Sequence, residues 1–181
     1  NQEGWSDVVL VERNDLTSGT TWHSAAQVTN FGMNQTMVGL KTHSIKLYKE
    51  LSEDPDHPIN YNYGDGGIRL ASTKEQIQGY HHFASMARGM DVDFEVIDAK
   101  ECQRRHPLIS TKNLIGGLWD PLDGDIDPYQ LCHSLTRKAR QAGAEVYTNT
   151  PVTGLKQYKD GTWKVITENG DIDCDIIVNA C

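Results

Sequence analysis

A carboxylate and a cluster of hydroxyls follow one another closely near the start of this 181-residue chain. Val8-Val9-Leu10-Val11 is an apolar run that ends on Glu12-Arg13, and Thr17-Ser18-Gly19-Thr20-Thr21-Trp22-His23 comes a few residues later. Apolar residues closed by an acid predict a buried parallel strand. In dinucleotide-binding folds an acid at such a strand end holds ribose hydroxyls. Hydroxyls and a glycine in the following loop are the groups that satisfy phosphate oxygens. Taken singly, Glu12 reads equally as a solvated acid, and Ser18, Thr20 and Thr21 as a polar loop or cap. Taken together they favour a ligand. His23 stands between Trp22 and the small residues Ser24-Ala25-Ala26, which would let a planar ring come close. Its imidazole is a competent nucleophile and proton carrier.

The elements that must position these residues follow from periodicity and punctuation. A helix is expected from about Thr36 to Leu51, with Met37, Leu40, Ile45, Leu47 and Tyr48 on one face, ended by Pro55 and Pro58. Two strands are expected around Gly64-Asp65-Gly66-Gly67. Thr73-Lys74-Glu75-Gln76 is a capping box that opens a second helix, with Gly89 as its stop. A short strand, Phe94–Ile97, leads into a helix capped by Asp98 and ended by Pro107, and another strand covers 114–118. Asp127-Pro128 opens a helix that runs to about Gln141, buries Leu131, Leu135 and Ala139, and stops at Gly143. Strand 145–147 and three short strands follow, turning at Asp160-Gly161 and Asn169-Gly170. Ile176–Val178 reads as a last buried strand.

This order predicts an α/β chain: a partial two-dinucleotide, Rossmann-like fold with an inserted mixed α+β substrate-side domain. Residues 1–52 would form the first nucleotide-binding part, 53–125 the insert and 126–181 the second part. The glycine fingerprint of such folds lies about 20 residues before the acid, whereas only eleven residues precede Glu12. We therefore expect a segment cut at both ends.

Composition narrows the function classes. Formal net charge is −8 and no basic run is present, which disfavours nucleic acid as a partner. No apolar run approaches membrane-spanning length. Cys102, Cys132, Cys174 and Cys181 make no C-x-x-C pair, so zinc and thiol-redox motifs lack support and small buried hydrophobes are the expectation. Asp120, Asp123, Asp125 and Asp127 suggest a calcium loop. No register puts glycine sixth and glutamate twelfth, so turn and cap roles are expected instead. His81 and His82 are adjacent and do not share a helix face.

In order along the chain, several segments resemble the dimethylglycine and sarcosine dehydrogenase family, a branch of the FAD-dependent amine oxidoreductases related to D-amino-acid oxidase. The segments are Leu10-Val11-Glu12-Arg13, Leu16 to His23, Ser44-Ile45-Lys46-Leu47-Tyr48, Gly67-Ile68-Arg69-Leu70-Ala71, Asp123 to Tyr129, Pro151-Val152-Thr153, Asp160-Gly161-Thr162-Trp163 and Ile177-Val178-Asn179-Ala180. The dimethylglycine branch is the nearer, chiefly through D-G-D-I-D-P-Y. The resemblance implies FAD as cofactor and His23 as the residue joined to the flavin through its 8α-methyl. It implies Glu12 and Arg13 at the adenosine ribose, Ser18 and the Thr20, Thr21, Trp22, His23 segment along the pyrophosphate and flavin, and the Val152 backbone near adenine. It also implies a small N-methylated amine as substrate and tetrahydrofolate in the full-length protein, and leaves the electron acceptor between oxygen and an electron-transfer flavoprotein. Implied catalytic groups fall mostly beyond Cys181. The compartment would be the mitochondrial matrix in a eukaryote and the cytoplasm in a bacterium. Where the family continues H-A-A-G-L, this chain has His23-Ser24-Ala25-Ala26-Gln27, so the ring packing there is not carried over. Two rival readings stand beside this one: a flavin oxidase for another secondary amine or amino acid, and a nucleotide-binding module without turnover.

Overall fold

The computed structural model describes residues 4–32, 34–90 and 92–180. In chain order the elements are β1 (Val9–Val11), a 3-10 turn (Thr20–His23), β2 (Gln27–Val28), α1 (Gln35–Ser52), β3 (Tyr61–Asn62), β4 (Gly67–Ala71), α2 (Lys74–Arg88), β5 (Glu95–Asp98), α3 (Ala99–Arg105), β6 (Gly116–Asp120), β7 (Gly124–Ile126), α4 (Pro128–Gln141), β8 (Glu145–Tyr147), β9 (Val152–Gln157), β10 (Trp163–Thr167) and β11 (Ile172–Cys174). They form two compact units, one of residues 1–24 with 128–181 and one of residues 25–127.

In the first unit β1 pairs in parallel with β8, Leu10 opposite Val146. The ladder continues past β1, where Glu12 N–H donates to the Tyr147 carbonyl at 2.9 Å and Thr150 N–H donates to the Glu12 carbonyl at 2.8 Å. Proline stands at the first position of α4, where a missing N–H costs nothing. Gly143 (φ +92°) ends the helix, with Ala144 N–H returning to the Ala139 carbonyl. An antiparallel meander, β9-β10-β11, follows, and its turns use Gly161 (φ +94°) and Gly170 (φ +131°), as the D-G and N-G pairs predict.

Two expectations for this unit need correction. The strand expected from Val8 forms as the parallel β1 (Val9–Val11), but Val9 and Leu10 remain 37% and 46% exposed because β8 is its one partner among the described residues. Ile176–Val178 forms no ladder with any described strand, and Val178 is 83% exposed. Apolar sequence alone does not make a strand; its N–H and C=O groups need a neighbour.

The second unit holds two antiparallel three-stranded sheets, β2-β7-β3 and β4-β6-β5. It takes in residues 25–52 as well as the middle of the chain. Its core joins Val38 of α1 with Phe83, Ala84 and Ala87 of α2, and with Val92, Phe94 and Leu118; Phe31 and Tyr80 pack against them. Phe94 lies 5.1 Å from Phe83 and 6.5 Å from Phe31 between ring centroids. The capping box of α2 forms as read, with the Thr73 side chain accepting from Gln76 N–H and the Gln76 side chain from Thr73 N–H. Asp98 caps α3. The buried face of α1 differs from the expectation: Val38, Ile45 and Leu51 point inward, while Met37 and Leu40 are exposed. On α4 the buried residue is Ser134, and Leu135 is exposed.

Candidate cofactor-anchoring site

The site is built on the end of β1 and the chain that leaves it. Glu12 sits where the parallel ladder runs out, half-buried, and its Oε1 accepts the N–H of Asn14 at 2.9 Å. One carboxylate oxygen is thereby committed to shaping the turn, leaving Oε2 for another donor. Arg13 is exposed. The loop is fastened at Asp15, whose carbonyl accepts from both the N–H and the hydroxyl of Ser18. The Asp15 carboxylate takes the Asn149 side-chain amide at 2.9 Å. Thr17 adopts φ +68°, a left-handed conformation costly for a β-branched residue, and this reverses the chain toward the 3-10 turn.

Thr20–His23 forms that turn, with Gly19 before it and no side chain capping its first N–H groups. The His23 Nδ1 lies 3.1 Å from the Gly19 carbonyl. A carbonyl only accepts, so Nδ1 is the donor in that contact and Nε2 is the ring nitrogen not engaged by it. Trp22 meets the His23 ring edge-on at 5.9 Å and is itself 72% exposed. Thr21 holds the turn to α4 through a hydrogen bond with the Cys132 thiol; burial pushes that thiol up despite the bond. Val152 opens β9, two residues beyond Thr150, whose N–H reaches the Glu12 carbonyl.

The structure therefore gathers Glu12, Ser18, Thr20, Thr21, Trp22 and His23 along one short path, with Val152 in the same unit. Sequence reasoning missed the ties that hold this path: Asn149 on Asp15, and Cys132 on Thr21. Neither pair is close in sequence, so no local spacing could have revealed them. Uncapped N–H groups and hydroxyls suit a pyrophosphate. A side-chain carbon added at Gly19 would meet nothing within 4 Å, so the approach is open. Among the described residues no three histidine, cysteine or carboxylate side chains stand together as a metal site.

A parallel strand ending in a carboxylate, followed by a hydroxyl-lined turn, is the arrangement of a dinucleotide-binding fold. The family model for "FAD dependent oxidoreductase" matches residues 1–181, and the chain belongs to that family. It is 36% identical over 98% of its length to human mitochondrial dimethylglycine dehydrogenase, and 33% identical over 97% to human mitochondrial sarcosine dehydrogenase. In each case it spans 20% of the relative's length. Among solved structures, L-proline dehydrogenase from P. horikoshii superposes with a TM-score of 0.88 at 23% identity, over 96% of this chain and 46% of that one. The α/β fold class is thus shown, with parallel and antiparallel sheets together.

Proposed function

We propose that this chain is the flavin-anchoring part of an FAD-dependent amine oxidoreductase that oxidatively demethylates N-methylated glycines such as dimethylglycine or sarcosine. The observation that carries the reading is the S-G-T-T-W-H segment folded as a turn, with His23 held through Nδ1 by the Gly19 carbonyl so that Nε2 is the ring nitrogen outside that contact. Bound FAD supplies the capacity to accept two electrons from a C–H bond. The chain's own residues do the holding. Glu12 Oε2 accepts hydroxyls of the adenosine ribose, with Arg13 beside it. Ser18, Thr20, Thr21 and the uncapped N–H groups of the turn meet the pyrophosphate. His23 would hold the flavin covalently through its 8α-methyl, with the Trp22 ring edge-on beside it. The Val152 backbone lies on the adenine side.

Identity to the two dehydrogenases supports N-methylglycines as the substrate class. An electron-transfer flavoprotein as acceptor, tetrahydrofolate as the one-carbon carrier, and the mitochondrial matrix (or the cytoplasm, in a bacterium) belong to the same reading of the whole protein. Anaerobic mixing of the full-length protein with dimethylglycine, sarcosine or glycine tests the substrate. The methylated amines should bleach the flavin faster, because the carbon losing hydrogen is the N-methyl that glycine lacks. Bleaching by glycine or a D-amino acid, with none by the methylated amines, would refute it.

A further inference from the structure

Asp120 and Asp123 belong to the second unit, at the turn where β6 passes into β7. Asp120 ends β6, opposite Gly67 of β4, and is 3% exposed. Its Oδ1 accepts the N–H of Leu122 at 3.0 Å. Its Oδ2 is buried with no hydrogen-bond donor among the described residues, yet the Asp123 carboxyl is within hydrogen-bonding reach. Asp123 is itself a fastening. Its Oδ1 accepts the Asn30 N–H at 3.0 Å, and its carbonyl accepts the Gly66 N–H at 2.9 Å. A side-chain carbon at Gly67 would fall 2.3 Å from Asp123 Oδ2, so the carboxyl is wedged against bare backbone.

We propose that Asp120 keeps a proton on its buried carboxyl and turns it toward Asp123, and that this proton locks the 120–124 turn onto Asn30 and Gly66, so that its loss loosens the junction of the two sheets. Two ionised carboxylates present only acceptors to each other, and neither can satisfy the other without a proton. Among the described residues no donor is bonded to Asp120 Oδ2, and Asn30 Nδ2, Arg69 Nε and the Tyr61 hydroxyl are likewise buried without partners. The Arg69 guanidinium is turned to the Thr29 hydroxyl and lies over the Phe31 ring at 4.0 Å. The Lys41 ammonium reaches the Phe31 carbonyl. Asp125 is engaged by the Asn62 side chain. Tyr61 also faces the pair, a neutral phenol pushed up to about 12 by burial and then by Tyr63 and the pair's own charge. Tyr48 packs edge-on against that ring. Burial, followed by the Asp123 carboxyl, raises Asp120 to about 7. The closed turn therefore keeps a proton that the opened turn, with an ordinary carboxylate, releases. Closure weakens as pH climbs from the ordinary carboxylate range to about 7 and levels off above it.

Hydrogen exchange of the full-length protein, read on peptides covering Asn30 and Gly66 and divided by the intrinsic rate, tests this. The opening constant should rise by up to roughly tenfold per pH unit below about pH 7 and then flatten. Asp120→Asn keeps the shape and supplies an N–H to Asp123, so its opening constant should be independent of pH over that range. The same slope in Asp120→Asn as in the wild type would overturn the proposal. The infrared band of a protonated carboxyl in the wild-type protein gives a second measurement that needs no variant. It should persist at about pH 6 and fade by about pH 8, and its absence at the lower pH would also overturn the proposal.

Discussion

Phe94→Ala offers a direct measure of what holds the second unit together. The ring is 1% exposed and packs between Phe31 and Phe83 in a cluster that also contains Val38 and Leu118. A phenyl group removing about 150 Å² from water, at about 25 cal/mol per Å², is worth ~4 kcal/mol. The cavity left behind adds to this, and residual burial in the opened chain subtracts from it, so the expected loss is about 3–5 kcal/mol. The assay is native-state hydrogen exchange on the amides of β5 and β6 in the full-length protein, which reads the opening of this unit whatever the other domains do. Leu108→Ala is the control: Leu108 is 89% exposed and its loss should change opening by less than about 0.5 kcal/mol. A loss below about 1 kcal/mol for Phe94→Ala would refute the packing argument, because so small an effect is what a surface position gives.

Two further outcomes follow from local chemistry. Thr73→Ala removes the acceptor for Gln76 N–H at the start of α2 and should cost about 1 kcal/mol in the opening of that helix, again by hydrogen exchange. Hydrogen bonds from Arg104 and Arg105 hold Glu101 down at about 2; because this pKa is depressed, the α3 network is intact at neutral pH and is lost only as pH falls toward that value, and carboxyl titration by NMR should place the Glu101 midpoint well below its ordinary range.

Legibility from sequence divides by the range of the interaction. The α2 cap was readable because Thr73 and Gln76 are three residues apart and satisfy each other. The meander turns were readable because Gly161 and Gly170 occupy positive φ that other residues resist. The inward face of α1 was not, since its apolar residues are spread widely enough for two faces to compete, and contact with the Phe83–Phe94 cluster selects Val38 over Met37. Ile176–Val178 looked like a strand from composition, but pairing is a property of neighbours. The candidate site shows the same divide. Its backbone path was legible in one stretch of residues, whereas the Thr21–Cys132 and Asp15–Asn149 ties join segments far apart in sequence. Turn and cap roles were legible for Asp120 and Asp123, whereas the burial of Asp120 comes only with the fold.

The central claim is that the turn Thr20–His23 anchors the flavin through His23. Proteolysis of the acid-denatured full-length protein, followed by mass analysis of the flavin-bearing peptide, tests it most directly. The account predicts that the flavin travels with the peptide containing Trp22-His23, and that His23→Ala releases all of it to the supernatant. Flavin on a different peptide, or colour retained in the His23→Ala pellet, would contradict it.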